Sequence, residues 1–215
     1  MQKFFNITSE TEHVVKIELV NGKKHNPLSI ELIKQLKNSL IQISSQKKVK
    51  VLIISSEGPG FSAGHDLDEL RKNKNNKKFF NELFNECSNL MQTIINLPQP
   101  VIAEVCGIAA AAGCQLVASC DLAVASEQAS FMTPGVNIGL FCSTPMVAVS
   151  RNLSRKKIME MLLTGEKLSA KDAVDFGLIN YCVPLDQLHQ KTLSIANKIA
   201  SKPLSTVKIG KEAFY

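Results

Sequence analysis

The sequence predicts an α/β layered domain with mostly parallel strands, and two observations carry the prediction. Strand-like and helix-like segments alternate along the chain, and the helices are long enough to cross over between parallel neighbours. VKVLIISS, residues 49–56, is a short continuous β-rich run, the composition of a parallel strand buried on both faces.

The elements follow in order. HVVKIELV (13–20) alternates apolar and polar positions and ends at the turn pair Asn21-Gly22, so it reads as a strand. Asn26-Pro27 predicts a helix N-cap followed by a proline at the first helical position. Leu28, Leu32, Ile33, Leu36, Leu40 and Ile43 then recur at helical spacing. After the strand 49–56, EGPGFSAGHDL is glycine-rich and reads as a loop, and RKNKNNKK (71–78) as a polar, basic segment of low complexity. Phe80, Leu83, Phe84, Cys87, Leu90, Met91, Ile94 and Ile95 form a second helical stripe that stops at Pro98. VIAEVC (101–106) predicts a strand, the alanine-rich stretch after it a helix, and DLAVAS (121–126) a strand again. Helices are expected near 154–163 and 169–176, a strand near 179–183, and a helix from Leu185 onward. No internal repeat and no Pro/Ser-rich linker interrupts the pattern.

Composition excludes several classes. With 45% hydrophobic and 20% charged residues in 215, the chain has material for a buried core, and global disorder is excluded. The 6 cysteines form no CxxC pair and lie mostly in apolar runs, which points to reduced core thiols, not to a disulfide or zinc framework. The 4 histidines (His13, His25, His65, His189) show no ligand spacing, so no metal site is expected. No apolar run reaches membrane-spanning length, since 107–125 is broken by Gln115, Ser119 and Asp121. MQKFFNITSETEH carries acids early, has no apolar signal core and is not Arg-rich, so no targeting segment is expected. The expected location is the cytoplasm or the mitochondrial matrix. A net charge of +6 favours an anionic ligand and equally suits a plain soluble protein. No nucleic-acid motif or aromatic interleaving accompanies the charge.

Parallel α/β sheets place ligands at the carboxyl ends of strands. Two loops have the right character there. FSAGHDL (61–67) follows the strand 49–56, and GIAAAAG (107–113) follows the strand 101–106. Each offers backbone N–H groups with almost no side chain in the way, and the second opens a helix whose first amides are unpaired. One amide from each loop, aimed at one carbonyl oxygen, would make an oxyanion hole for an enolate or a tetrahedral intermediate. The same small residues also suit tight helix–sheet packing, and composition alone leaves the two readings equal.

FSAGHDL, VIAEVCGIAAAAGCQLVASCDLAVAS, FMTPGVNIGL and LTGEKLSAKDAVDFGLINYCVP together resemble the crotonase superfamily (enoyl-CoA hydratase/isomerase), in order, from about residue 13 to the end. The resemblance implies a crotonase (ClpP-like) spiral of ββα turns, an acyl-CoA ligand, and trimers that pair into hexamers. It assigns the two oxyanion amides to His65 and Ala112, and puts Ala63, Gly64, Asp66, Leu67 and Ala111 against the ligand. Lys23, Lys24 and His25 match the segment that meets the adenine end of coenzyme A. The CoA thioester is substrate or ligand, and no separate cofactor is implied. The core would span 1–200, and 201–215 would begin a C-terminal helical region that stops short of the family's length.

The chain departs from the family where hydration is catalysed. Hydratases of the family use two glutamates. Here their positions fall on Gln115, three residues past Ala112, and on Gly135 of FMTPG. Hydration needs a group that takes a proton from water and one that gives a proton to the α-carbon. A glutamine amide does neither at neutral pH, and each such role is worth on the order of 10²–10⁴ in rate. Three accounts stay open. His65, Asp66, Cys142 or Ser143 supplies the proton chemistry, against the plainer readings that His65 faces solvent and Cys142 is a packed thiol. Alternatively, the space beside Gly135 admits an anion or a water that acts as base. In the third, the protein binds acyl-CoA without turning it over. The run Arg71–Lys78 either attracts phosphates or is a solvated loop.

Overall fold

The computed structural model describes residues 3–215, and its strands form two sheets. The larger contains β1 (Phe5–Ser9), β2 (Val14–Leu19), β3 (Val51–Ser56), β5 (Val101–Val105), β7 (Leu122–Ser126) and β10 (Tyr181–Val183), in the order β1-β2-β3-β5-β7-β10. The smaller contains β4 (Gly60–Ser62), β6 (Ile108–Ala110), β8 (Ser130–Met132) and β9 (Leu168–Ser169), in the order β4-β6-β8-β9. Three times in succession a strand of the larger sheet leads into one of the smaller and then into a helix. The helices are α2 (Leu67–Lys72), α4 (Ala112–Ser119) and α5 (Ser143–Val149). This repetition is the spiral of ββα turns. The neighbours β2, β3, β5, β7 and β10 run parallel, and β1 closes one edge antiparallel to β2.

The larger sheet is covered on both faces, which explains its unbroken apolar strands. Side chains alternate across a strand. Leu52, Ile54, Val101, Ala103 and Val105 join the core made with α1 (Ile30–Ser44) and α3 (Lys77–Asn96). Val51, Ile53, Ile102 and Val124 pack on the other face against α8 (Leu188–Ala200). The helices α6 (Arg155–Thr164), α7 (Ala170–Asp175) and α9 (Leu204–Phe214) complete the chain. Among the described residues no helix is long and apolar enough to cross a membrane.

Several boundaries differ from the sequence expectation. The first helix starts at Ile30, capped by Ser29, whose Oγ accepts from the Leu32 amide at 3.2 Å. Asn26 is not its cap. It is fully buried with φ 50°, and its side chain accepts from Asn21 N at 2.8 Å and donates to the Glu57 and Gly60 carbonyls at 3.0 and 2.9 Å. It thereby ties the 3-10 turn Gly22–Lys24 to the entrance of β4. EGPGFSAGHDL contains β4, and the alanine-rich stretch starts as β6 before it becomes α4. RKNKNNKK is divided between the end of α2 and the start of α3, where Asn76 caps the new helix.

Candidate active site

The two predicted loops meet. Leu28 pairs with His65 in a parallel bridge, in which Leu28 N donates to Gly64 O at 2.8 Å and Asp66 N to Leu28 O at 3.4 Å. That pattern uses the amides on either side of His65 and turns the His65 N–H the other way. Gly64 has φ 88°, and a Cβ there would lie 2.9 Å from the Ala110 carbonyl and 3.1 Å from Ala112 N. Only glycine leaves the Ala112 amide uncovered at that approach. Among the described residues neither His65 N nor Ala112 N donates to a loop, cap or side-chain acceptor.

Ala111 produces the sharp turn between β6 and α4. Its φ of 48° and ψ of −117° lie where an L-residue rarely sits. Such a residue costs of order 1–3 kcal/mol, and strain of this kind clusters at ligand sites. Ala111 N donates to Met132 O at 2.9 Å and its carbonyl accepts from Gln115 N at 3.0 Å, so the neighbouring ladder and helix hold the kink. Ala112 N, the first amide of α4, is left without an intrahelical acceptor. The small residues thus serve close packing and an unpaired donor together.

The hydratase positions carry no acid. Gln115 is buried, and among the described residues its Oε1 meets only the Cys87 thiol, at 3.9 Å. At Gly135 the expected space is filled. A Cβ there would lie 2.8 Å from Leu140 O and 2.9 Å from Cys142 Sγ, which accepts from Gly135 N at 3.3 Å. The loop 135–142 folds back on this glycine, so its Cβ direction holds neither a water nor an anion. Burial raises the Cys142 thiol above its ordinary range, which makes it a packed thiol and not a base. Asp66 caps α2, accepting from the Asp68 and Glu69 amides at 2.9 and 3.2 Å. Ser143 is the exposed first residue of α5.

The His65 side chain does not face solvent. Its ring lies edge-on to Phe84 with centroids 5.7 Å apart, and both ring nitrogens are buried without a hydrogen-bond partner. Burial lowers its pKa below the ordinary 6.5, and the nearby Leu28 backbone opposes this without reaching either nitrogen in bonding geometry. The ring is therefore neutral near pH 7 and sealed from a ligand in this conformation. Its folded pKa is depressed, so below pH 6.5 the unfolded chain binds the extra proton. Stability from the neutral ring is present above that value and is lost as pH falls, no faster than about 1.4 kcal/mol per pH unit for one proton. Between pH 7.5 and 5.5 the melting temperature of the parent should therefore fall further than that of His65→Leu. Equal falls would mean that the ring is not held neutral.

The remaining predicted residues spread around the two loops. Lys23, Lys24 and His25 are exposed on the turn before Asn26, and the His25 carbonyl accepts from Ala63 N at 2.8 Å, so that turn borders the first loop. Ala63 and Leu67 are exposed beside it. Missed by the sequence were the groups that shape the cavity next to Gln115. It measures about 190 Å³ and is walled by α3, α4 and α5, with Phe84, Met91, Val147 and Arg151 among its lining. Only the apolar stripe of α3 gave any signal of it. Among the described residues no cluster of His, Cys, Asp or Glu could hold a metal ion.

Comparison with known proteins agrees with this geometry. The family model Enoyl-CoA hydratase/isomerase matches residues 9–215. The human enoyl-CoA hydratase domain-containing protein 3, mitochondrial, is 50% identical over 206 residues, covering 96% of this chain and 68% of that protein. The Rattus norvegicus protein of the same name is 48% identical over 97% of this chain and 69% of its own length. The crystal structure of an enoyl-CoA hydratase from Mycobacterium smegmatis superposes with a TM-score of 0.96 at 41% identity, covering 100% of this chain and 83% of that one. That of human enoyl-CoA hydratase domain-containing protein 3 gives 0.95 at 47% identity, covering 99% and 83%. With a crotonase spiral, two converging small-residue loops and relatives matched along nearly its whole length, this chain belongs to the enoyl-CoA hydratase/isomerase family.

Proposed function

We propose that the chain binds a coenzyme A thioester with its carbonyl oxygen between the His65 and Ala112 amides, and polarises it toward the enolate. The observation that carries this is the strained Ala111 beside Gly64, which together leave the Ala112 N–H bare next to the His65 N–H. Two backbone donors fixed in place stabilise charge that develops on an oxygen, and they need no reorganisation to do so. Lys23, Lys24 and His25, exposed at the edge of the first loop, supply charge for the phosphates of the CoA tail. The setting is acyl-CoA metabolism. The mitochondrial names of the relatives favour the matrix over the cytoplasm. Exposed Ile138, Leu140 and Phe141 are apolar surface that a homotrimer or hexamer would cover.

A second reading, binding without turnover, is favoured by one observation. Gln115, the filled Gly135 position, the sealed His65 ring and the packed Cys142 leave no proton-transfer group at the hydratase positions. Crotonyl-CoA separates the readings. A ligand at 100 times its Kd stabilises a fold by about 2.7 kcal/mol, so binding will appear as a raised melting temperature. With both acids missing, loss of the enoyl absorbance should be slower than in a two-glutamate hydratase by at least about 10². Stabilisation with no loss at all selects the second reading. No stabilisation by crotonyl-CoA, beside a folded protein, removes both.

A further inference from the structure

The cavity beside Gln115 has a direction. At one end Phe84 touches the His65 ring and Cys87 meets Gln115, one helical turn past the Ala112 amide. The three walls then run the same way from that end. Asn152, just beyond α5, donates to Ala118 O at 3.1 Å near the end of α4. The far end therefore lies about 9 Å from the Ala112 level, at 1.5 Å per helical residue. Arg151 stands at that end and lines the cavity. Among the described residues it makes no ion pair.

A tunnel of this kind suits a short acyl chain. Its volume of about 190 Å³ is well below the range of about 300–1,000 Å³ for drug-sized ligands. Met91 and Val147 give it apolar walls, and a hydrocarbon tail would need nothing more. A guanidinium at the far end adds five donors in a planar fork, the geometry that fits a carboxylate.

We propose that the acyl group taken here carries an acidic far end, a short-chain dicarboxylic acyl-CoA, whose free carboxylate pairs with Arg151. The inference rests on the thioester reading above and extends it to substrate class. The chain of such a ligand runs from the two amides, past Gln115, along α5 to Arg151.

The test compares adipyl-CoA with hexanoyl-CoA, equal in carbon number, by calorimetry on the parent and on Arg151→Gln. Arg151 is exposed and, among the described residues, bonded only through its backbone, so the variant keeps its fold. The parent should bind adipyl-CoA about tenfold more tightly, the effect of one charge-assisted pair. Arg151→Gln should erase that preference and leave hexanoyl-CoA and free CoA unchanged. Equal affinity of the parent for the two esters, or a preference that survives in Arg151→Gln, overturns the acidic end while leaving the thioester site standing. If neither ester binds more tightly than free CoA, the thioester reading fails, and this inference falls with it.

Discussion

Gly113→Ala should weaken thioester binding by at least about tenfold and destabilise the fold by about 1–3 kcal/mol, the usual cost of forcing an extra methyl into a packed site. A Cβ at Gly113 would lie 2.4 Å from Ser62 O and 2.8 Å from Ser62 Cβ. Both are too close, and the first is backbone, which cannot rotate aside. Gly113 is the second residue of α4 and Ser62 ends β4, three residues before His65. The contact therefore sets the spacing of the loops that carry the two amides. Relieving it moves one amide from the other by a good part of an ångström, and a misplacement near 1 Å can cost about 10² at a preorganised site. Gly210→Ala is the control, because nothing lies within 4 Å of a Cβ there and the residue sits inside α9. It should gain up to about 1 kcal/mol from helix propensity and leave binding alone. Calorimetry and a thermal melt read both variants. Undiminished affinity in a folded Gly113→Ala protein would remove the two-loop account of the site.

Helix periodicity and the β-rich run of residues 49–56 placed most of the larger sheet and its covering helices, because both faces of that sheet are dry. The signal failed where strands are short or half wet. β4, β6 and β8 have three residues each, so no alternation develops, and each hides in a stretch that also reads as loop or helix. β1 lies at an edge with its last three residues exposed, so its pattern carries little contrast. Asn26 was misread because Asn-Pro is a common helix start. A buried left-handed Asn that bonds three backbone groups, two of them more than thirty residues away, has no local signature.

The two small-residue loops were legible because glycine and alanine leave their mark in the sequence itself. What surrounds them was not. The space at Gly135 looked empty in sequence and is taken by Cys142, seven residues on, through a fold-back of the chain. His65 looked like a titrating side chain, and Phe84 closes over it from α3, nineteen residues on. The positive φ of Ala111 follows from the ladder bond to Met132 and the helix bond from Gln115, not from any preference of alanine. In each case the missing information is a contact between segments that no local rule couples.

Lys211→Ala should release α9 from the domain while the two sheets stay folded. α9 has no buried residue, and Ile209 and Phe214 on it are 67% and 82% exposed. Its main anchor is one ammonium, joined at the C-cap by the Tyr215 hydroxyl, which donates to Asp121 Oδ1 at 3.3 Å. Lys211 Nζ, with its side chain 7% exposed, donates to Ile94 O at 3.0 Å, Gln99 O at 3.2 Å and Asp121 Oδ2 at 2.7 Å. Asp121 also accepts from Val101 N at 2.7 Å, so the anchor grips the start of β5. Removing one partner of a buried pair costs about 3–5 kcal/mol when the other stays dry. Here the other need not stay dry, because once α9 lifts, water reaches Asp121 and the two carbonyls. The cost is therefore capped by the free energy of holding α9, and local opening is cheaper than global loss. Hydrogen exchange separates the cases. In Lys211→Ala the amides of α9 should lose protection while those of β3 and β5 keep theirs, with a small fall in melting temperature. Unchanged protection across α9 would mean that its sparse side contacts hold it, and the full cost of a stranded Asp121 should then appear in global unfolding.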